Sequence, residues 1–250
     1  MANIVDTYYK SKASVREAVK TLRTNISFSG SDKEIKSIVI TSPTARLGKT
    51  TVASFLSIAY AETGKKVLLV DTDCRRPMVA NSFRQRPPRG MLQVLYREAT
   101  VEEAAMETRQ TGLYIMDCGG RITNPVEFVN SRRFRAFAEE AERNFDIVVY
   151  DTPPLGTFIE AALLAAHADG TLIVMQPGKV QSAVAKDIVD QLNKANAHIL
   201  GVVFNNVLNI KSDGYYYYGK DIKSSKREWN REGTRKAKDK HSKSDTTRKR

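Results

Sequence analysis

The chain has 250 residues, 41% of them hydrophobic, and a formal net charge of +12 from 40 Lys/Arg against 28 Asp/Glu. This length and apolar content suit one α/β domain, and no apolar run approaches the roughly 20 residues that span a bilayer. The N-terminus lacks the hydrophobic stretch of a signal peptide, and Cys74 and Cys118 give neither a metal-ligand spacing nor a disulfide framework, so we expect a cytoplasmic protein with two unpaired cysteines.

The predicted elements alternate between helix and strand. An amphipathic helix over residues 14–29 precedes six short apolar runs that are rich in β-branched residues. Such continuous runs are typical of strands that are buried on both faces of a parallel sheet. We predict strands at 37–42, 66–73, 113–118, 146–154, 171–176 and 199–205, and helices at 49–63, from 100 (a capping box of Thr100 and Glu103), 132–144, 160–168 and 182–196. This βα alternation predicts a doubly wound α/β fold with a mostly parallel sheet.

The first predicted strand runs into the loop "TSPTARLGKT", which an apolar helix follows. A loop in this setting is typical of a phosphate-binding loop, because backbone N–H groups at a helix N-terminus point at the anion. Lys49 would reach the β/γ-phosphates, and the hydroxyl of Thr50 would ligate Mg²⁺. The strict Walker A pattern needs a glycine where this chain has Pro43, so the loop is a deviant one.

Two further predicted strands end in acidic residues, in "VLLVDTDCRRP" and "IVVYDTPP". Parallel strands bring Asp71, Asp73 and Asp151 to the carboxyl edge of the sheet, beside the loop that follows the first strand. An aspartate there can hold Mg²⁺, and a second one can accept a proton from an attacking hydroxyl. The sequence therefore predicts a site for ATP and Mg²⁺ at this edge.

The C-terminal part differs from the rest of the chain. Residues 220–250 carry 13 Lys/Arg against 5 Asp/Glu, a net charge of +8, with too few apolar side chains for a core. We expect this tail to be disordered and to suit an anionic membrane surface, and we expect no nucleic-acid partner. Four tyrosines in a row precede it, a pattern that fits neither a one-sided strand nor a one-sided helix. They are Tyr215, Tyr216, Tyr217 and Tyr218.

Several segments in this order resemble the cytoplasmic bacterial tyrosine kinases, P-loop autokinases of capsular and exopolysaccharide synthesis. They are "EAVKTLRTNISFSG", the Gly48 loop, "DTDCRRP", "GGRITNPVEFVNS", "DTPP", "ADGTLIV", "LGVVFN" and the tyrosine run, and they extend over nearly the whole chain to Tyr218. The resemblance implies a P-loop NTPase-like fold related to the septum-positioning and partition ATPases. It also implies an ATP-dependent protein-tyrosine kinase that phosphorylates its own terminal tyrosines between neighbouring subunits of a ring.

The resemblance assigns roles to individual residues. It implies catalysis by Lys49, Asp71 and Asp73, with Asp73 ranked before Asp71 as the base, and metal binding by Thr50, Asp71 and Asp151. The nucleotide site would comprise Ala45, Arg46, Leu47, Gly48, Lys49, Thr50, Thr51 and Asn205. Of these, Asn205 would lie near the adenine base of the nucleotide. The family's oligomerisation pattern corresponds to Glu17, Lys20 and Arg23, and the autophosphorylation sites to Tyr215–Tyr218.

The resemblance also implies partners and a division of the chain. A membrane-embedded polysaccharide co-polymerase would act as activator and recruit the protein to the inner face of the cell membrane, and a phosphotyrosine phosphatase would oppose the kinase. We expect an oligomerisation segment at 1–30, a kinase domain at 31–210, and the tyrosine cluster with its basic tail at 211–250.

Two departures from the family pattern are visible. The family loop has a glycine-containing trio before Gly-Lys, whereas this chain has Ala45, Arg46 and Leu47; if the middle position needs a positive φ, Arg46 is strained by about 1–3 kcal/mol. Lys20 replaces an arginine of the oligomerisation pattern, which keeps the charge but loses a bidentate donor.

Two other functions are open at this point. One is a catalytically weak scaffold or regulator, in which Arg46 spoils the nucleotide loop. The other is a partition-type ATPase, whose loop usually has a signature lysine at the position of Thr44 and which lacks a terminal tyrosine run.

Overall fold

Seven strands form one sheet at the centre of the computed structural model, which describes residues 2–30 and 34–207. The strands are β1 Ser37–Thr41, β2 Val67–Asp71, β3 Met106–Glu107, β4 Leu113–Met116, β5 Ile147–Asp151, β6 Gly170–Met175 and β7 Ile199–Phe204. The helices are α1 Ile4–Lys10, α2 Ala13–Ser29, α3 Lys49–Ala61, α4 Val79–Phe83, α5 Met91–Leu95, α6 Val101–Ala104, α7 Pro125–Val129, α8 Arg132–Asn144, α9 Glu160–Ala165 and α10 Ser182–Lys194.

The sheet has the order β3-β4-β2-β5-β1-β6-β7. Every neighbouring pair is parallel except β3 and β4, which are antiparallel. The prediction of a doubly wound, mostly parallel sheet is therefore confirmed. The six predicted strands all form, with ends that shift by a few residues, and β3 is an additional edge strand of two residues.

Both faces of the sheet are covered, because alternate side chains of the same strand enter different cores. On β1, Val39 packs into the core that contains Phe134, while Ile38 and Ile40 pack into the core that contains Phe55. All five β1 residues are buried. This two-sided burial explains why the strands read as continuous apolar runs and not as alternating ones.

The N-terminal ends of two helices are set by capping hydrogen bonds from side chains that the local sequence predicts. Thr100 Oγ1 accepts from the N–H of Glu103 at 3.2 Å, and the Glu103 carboxylate accepts from the N–H of Thr100 at 2.9 Å, so the predicted capping box is present. Ser131 caps α8 with its hydroxyl alone, which accepts from the N–H of Phe134 at 3.1 Å. The short helices α1, α4, α5 and α7 were not predicted, because helices of five to seven residues depend on tertiary packing for most of their stability.

The N-terminal helices pack onto α3, within the compact unit that extends to Asn206. The rings of Tyr8 and Phe55 meet edge to face with centroids 5.1 Å apart, and Ile26 of α2 is buried in the same core. Arg23 donates a hydrogen bond of 2.5 Å to the carbonyl of Ala59, near the C-terminal end of α3. In the part of the chain that the structure describes, no helix combines the length and apolarity that crossing a membrane requires.

The strand order brings the predicted acidic residues to one place. β5 lies between β1 and β2, and Asp71 at the end of β2 is in register with Asp151 at the end of β5. The loop that follows β1 begins at the same edge. This is the carboxyl edge of the parallel strands, where α/β sheets bind ligands.

Candidate active site

The loop between β1 and α3 is held closed by a residue 158 positions further along the chain. Asn205, just after β7, donates its side-chain amide to the carbonyl of Leu47 at 3.0 Å. Gly48 has φ of 91°, and a Cβ at this position would collide with the amide of Asn205. Glycine suits this position because other residues rarely adopt its backbone angle, and a Cβ would also displace the Asn205 amide that bonds to Leu47.

Arg46 adopts the left-handed backbone conformation. The sequence predicts strain at this residue if its position requires a positive φ. Its φ is 63°, which is uncommon for a residue other than glycine. Its side chain is exposed, as is that of Ala45, whereas Leu47 is buried. The loop therefore keeps its shape with an arginine in a strained position.

Lys49 and Thr50 begin α3 and lie beside Asp151. The Thr50 hydroxyl donates to Asp151 Oδ2 at 2.5 Å, and Lys49 lies close enough to lower the pKa of that carboxyl. Burial is the larger effect, so the pKa of Asp151 is raised to about 6, with Asp73 adding to the rise. The site thus keeps a carboxylate in an environment that favours its protonation, which a cation would relieve.

The second oxygen of Asp151 carries no hydrogen bond within the described residues, although it is buried. A buried carboxylate oxygen without a partner next to a threonine hydroxyl fits the oxygen donors that Mg²⁺ prefers. Across residues 2–30 and 34–207, no three His, Cys, Asp or Glu side chains converge as a ready metal cage.

Asp71 is fully buried and holds the loop that follows β2. One of its carboxylate oxygens accepts from the N–H of Asp73 at 3.0 Å, and the other accepts from Met78 and Val79 at 2.7 and 2.9 Å. Burial, and then the charge of Asp151, raise its pKa well above the usual range in spite of these three donors. Asp71 thus shapes the loop directly, a function that the sequence did not reveal.

Asp73 is the most accessible of the three aspartates. It is half-buried, it accepts the N–H of Arg76 at 3.1 Å, and its charge acts on Asp151. A carboxylate that is near the metal-ligand candidate and open to solvent can take a proton from a substrate. Of the two residues that sequence reasoning offered as the catalytic base, Asp73 has the more accessible carboxylate, and its role stays a prediction.

Arg75 and Glu160 form a contact that sequence reasoning missed. The guanidinium of Arg75 lies over the ring of Phe158, 4.2 Å from its centroid, and contacts the Glu160 carboxylate at 2.6 Å. The Glu160 side chain is only 4% exposed. Glu160 is 85 positions from Arg75, and their ion pair joins the loop after β2 to the first turn of α9. The only sequence signal for this contact is the arginine pair in "DTDCRRP".

Cys74 and Cys118 correct the expectation of two unpaired cysteines, because the structure joins them in a disulfide. Their Cα atoms are 5.5 Å apart, within the range that a disulfide requires. They follow the adjacent strands β2 and β4. Their separation of 44 positions in the sequence gave no sign of this proximity.

The predicted oligomerisation residues lie together on α2. Glu17 and Lys20 form an exposed ion pair of 3.1 Å, and Arg23 bonds to α3 of its own chain. Their part in assembly stays a prediction. Tyr215–Tyr218 and the basic tail lie outside the described residues.

Comparison with known proteins agrees with this arrangement. Residues 35–210 match the family described as AAA domain. The tyrosine-protein kinase YwqD of Bacillus subtilis is 34% identical over 203 residues, which cover 81% of this chain and 86% of that protein. The putative tyrosine-protein kinase CapB of Staphylococcus aureus is 31% identical over 213 residues, which cover 85% of this chain and 93% of that protein.

Among solved structures, the kinase domain of the Escherichia coli tyrosine kinase ETK superimposes with a TM-score of 0.73 and 29% identity, over 81% of this chain and 79% of that one. The P-loop fold and the resemblance drawn from the sequence are thereby confirmed. The chain belongs to the bacterial tyrosine-protein kinases with an AAA-type P-loop domain.

Proposed function

We propose that this chain transfers the γ-phosphoryl group of ATP to protein tyrosines, including its own Tyr215–Tyr218, and thereby regulates capsule or exopolysaccharide polymerisation and export. The observation that carries the proposal is the contact between Thr50 and Asp151, which joins the phosphate loop to the strand-end carboxylates. The names of the relatives support the reaction class. The tyrosine run at 215–218 offers substrates in the same chain.

Phosphate and metal binding involve few residues in this proposal. Lys49 holds the β- and γ-phosphates, while Thr50 and the free oxygen of Asp151 would hold Mg²⁺, which neutralises charge on the phosphates when bound. The loop residues 45–51 cradle the phosphates with backbone N–H groups. Asn205 keeps the loop closed through its bond to Leu47 and would lie near the adenine base of the nucleotide.

Asp73 accepts the proton of the attacking phenol. A tyrosine hydroxyl with an ordinary pKa of about 10 is a weak nucleophile at neutral pH, so a nearby carboxylate is useful, although positioning and charge neutralisation contribute most. Asp71 supports this step by holding the N–H of Asp73 and the following turn. The resemblance also implies direct contact of Asp71 with the metal, at a carboxylate whose two oxygens already accept hydrogen bonds.

The wider context is also a proposal. The kinase works in the cytoplasm beside a membrane-embedded activator, assembles into a ring through Glu17, Lys20 and Arg23, and is reversed by a phosphotyrosine phosphatase. The segment 1–30 would serve assembly, 31–210 catalysis, and 211–250 would present the tyrosines and the basic tail. The exposure of Glu17 and Lys20 on α2 is compatible with such a surface.

Lys49→Met tests the site. Purified protein is incubated with labelled ATP and Mg²⁺, with and without a candidate membrane activator, and phosphotyrosine is measured on residues 215–218. We expect the variant to lose phosphotyrosine, because Lys49 binds the phosphates, and to remain folded with a cooperative unfolding curve, although Lys49 is buried beside Asp151. Lys65→Met is the matched control, since Lys65 forms only an exposed ion pair with Glu34.

The same assay separates the alternatives. ATP hydrolysis without phosphotyrosine in the wild type would indicate a partition-type ATPase. Neither product would indicate a scaffold, for which the strained Arg46 is the favouring observation. Retained autophosphorylation in Lys49→Met would contradict the site assignment.

A further inference from the structure

The disulfide between Cys74 and Cys118 lies at the carboxyl edge of the sheet, next to the proposed active site. Cys74 immediately follows Asp73, and Cys118 follows β4. β2 and β4 are neighbouring parallel strands, so the residues after them leave the sheet side by side. These are the only two cysteines in the chain, so each has no other partner within one subunit.

The two sulfurs differ in accessibility. Cys118 is 3% exposed, and its Sγ lies 3.4 Å from the carbonyl oxygen of Asp71. Cys74 is half-buried and only packs against the edge of the core. A reagent from solvent therefore reaches Cys74 first, and Cys118 is placed to act as its resolving partner.

The disulfide ties the loop that carries Asp73 to the segment after β4. One residue further along, Arg75 ties the same loop to Glu160 and Phe158, which follow β5. Asp73 therefore stands next to a covalent anchor and two positions from an ionic one. When the disulfide is absent, the loop keeps only its ion pair and its hydrogen bonds.

We propose that Cys74 and Cys118 are a reversible redox-modification site that sets the position of Asp73; this inference rests on the proposed kinase function. In the oxidising direction, the Cys74 thiolate attacks a peroxide oxygen and becomes a sulfenic acid, with loss of one water. The Cys118 thiol then attacks that sulfur and releases a second water. Two thiols and one hydrogen peroxide thus yield one disulfide and two waters.

Reduction uses a dithiol of the thioredoxin or dithiothreitol class. One thiolate of the reductant attacks the Cys74 sulfur and frees Cys118 as a thiol. The second thiol of the reductant resolves the mixed disulfide and frees Cys74, so the reductant leaves as a disulfide.

Oxidation affects transfer and not nucleotide binding. A catalytic group that is out of place by a small distance loses much of its effect, so fixing the Asp73 loop favours phosphoryl transfer. The phosphate loop follows β1, which β2 and β5 separate from β4. The oxidised protein is therefore expected to transfer phosphate several-fold faster than the reduced protein, at equal ATP affinity.

The test uses the full chain, either treated with hydrogen peroxide or reduced with dithiothreitol, and then freed of reagent. Alkylation and mass measurement count free thiols; we expect two in the reduced protein and none in the oxidised monomer. Hydrogen exchange reports the loop without any need for catalysis, and the amides of Asp73, Met78 and Val79 should exchange several-fold faster after reduction. Cys74→Ser and Cys118→Ala are the variants, each expected to match reduced wild type and to lose its redox response.

Each outcome decides the question. Two free thiols after peroxide treatment, or a disulfide between two chains, overturns the proposal. So does a disulfide whose reduction changes neither amide exchange nor, in an active protein, tyrosine transfer. If neither redox state forms phosphotyrosine, the proposed kinase function fails; thiol count and amide exchange then still show whether the disulfide controls this loop.

Discussion

Arg46 shows the cost of one residue in an unfavourable backbone conformation. Its φ of 63° lies in the left-handed region, where a non-glycine residue costs on the order of 1 kcal/mol or more. The side chain is exposed, so packing offers no visible compensation. The loop nevertheless closes, because Asn205 and the glycine at 48 determine its shape.

We expect Arg46→Gly to raise the free energy of unfolding by about 0.5–1 kcal/mol and to keep or raise ATP affinity, because the strain disappears while the backbone N–H groups stay in place. Urea unfolding and nucleotide titration measure the two effects. Arg97→Gly is the matched control, since Arg97 has the same φ of 63° in a segment after α5; it should gain stability and leave ATP affinity unchanged. A large loss of ATP affinity in Arg46→Gly alone would show that the arginine binds phosphate.

Asp151, the proposed metal ligand, lowers the stability of the ligand-free fold at neutral pH. Its pKa is raised from 3.8 to about 6 in the folded protein, mainly by burial. Between these values the folded state binds more protons than the unfolded state, so this group lowers stability as pH rises from about 4 to 6. At neutral pH the full cost of the buried charge is present.

Asp151→Asn should therefore raise the free energy of unfolding of the nucleotide-free protein at pH 7.5 by an amount on the order of 1–2 kcal/mol. This gain should appear as a higher midpoint temperature of thermal unfolding. The gain should shrink at pH 5, where the wild-type carboxyl is mostly protonated, and Mg²⁺-dependent nucleotide binding should be lost. Asp146→Asn, just before β5, is the control: Asp146 is exposed and accepts the N–H of Lys66 at 2.7 Å, so it should gain no stability. An unchanged or lower midpoint for Asp151→Asn at pH 7.5 would contradict the assignment.

Among the elements, α2 depends on a few contacts with α3. Its buried apolar side chain is Ile26, and Arg23 adds the hydrogen bond to Ala59 near the end of α3, where a cation also complements the helix dipole. The proposed assembly residues thus include one that holds the helix on its own chain. If Arg23 also takes part in assembly, as proposed, its contact with Ala59 would couple assembly to the docking of α2 on α3.

We expect Arg23→Ala to lower the free energy of unfolding by about 1–2 kcal/mol, because it removes a charge-assisted hydrogen bond that is partly buried. Lys20→Ala is the matched control on the same helix; its ion pair with Glu17 is exposed, so the loss should stay below about 0.5 kcal/mol. Urea denaturation of dilute, monomeric protein gives both values. Equal effects of the two substitutions would mean that the Ala59 contact does not stabilise α2.

At the scale of the whole molecule, charge divides the chain into two parts. Residues 1–219 carry a net charge of only +4, and residues 220–250 carry +8. Each phosphotyrosine adds about −1.5 to −2, so four of them would add roughly −6 to −8. Phosphorylation of the tyrosine run would nearly cancel the charge of the tail.

We therefore expect the unphosphorylated protein to sediment with anionic vesicles at low salt, since each Lys or Arg near such a surface contributes about 1 kcal/mol before screening. Deletion of residues 220–250, or phosphorylation of the four tyrosines, should release it. Vesicles of neutral lipid are the control and should bind neither form. Unchanged binding after the deletion would mean that the tail only keeps the protein in solution.

The sequence by itself determined the architecture and the chemical class of the site. Strands that are buried on both faces consist of continuous apolar residues, which are visible in the sequence. The strand, the glycine-lysine-threonine loop and the helix of the phosphate site are also consecutive in the chain. Aspartates at the ends of "VLLVD" and "IVVYD" must come to the carboxyl edge in any parallel sheet. These features depend on near neighbours, so periodicity and order were enough to predict them.

The tertiary structure alone decided how the site is held. Asn205 reaches Leu47 across 158 positions, Cys74 meets Cys118 across 44, and Glu160 anchors Arg75. The contacts of Cys74 and Arg75 depend on β4 and β5 lying on either side of β2, and the contact of Asn205 with Leu47 depends on β6 alone separating β7 from β1. Local periodicity carries no information on strand order, because any order that covers both faces with helices buries the same apolar residues.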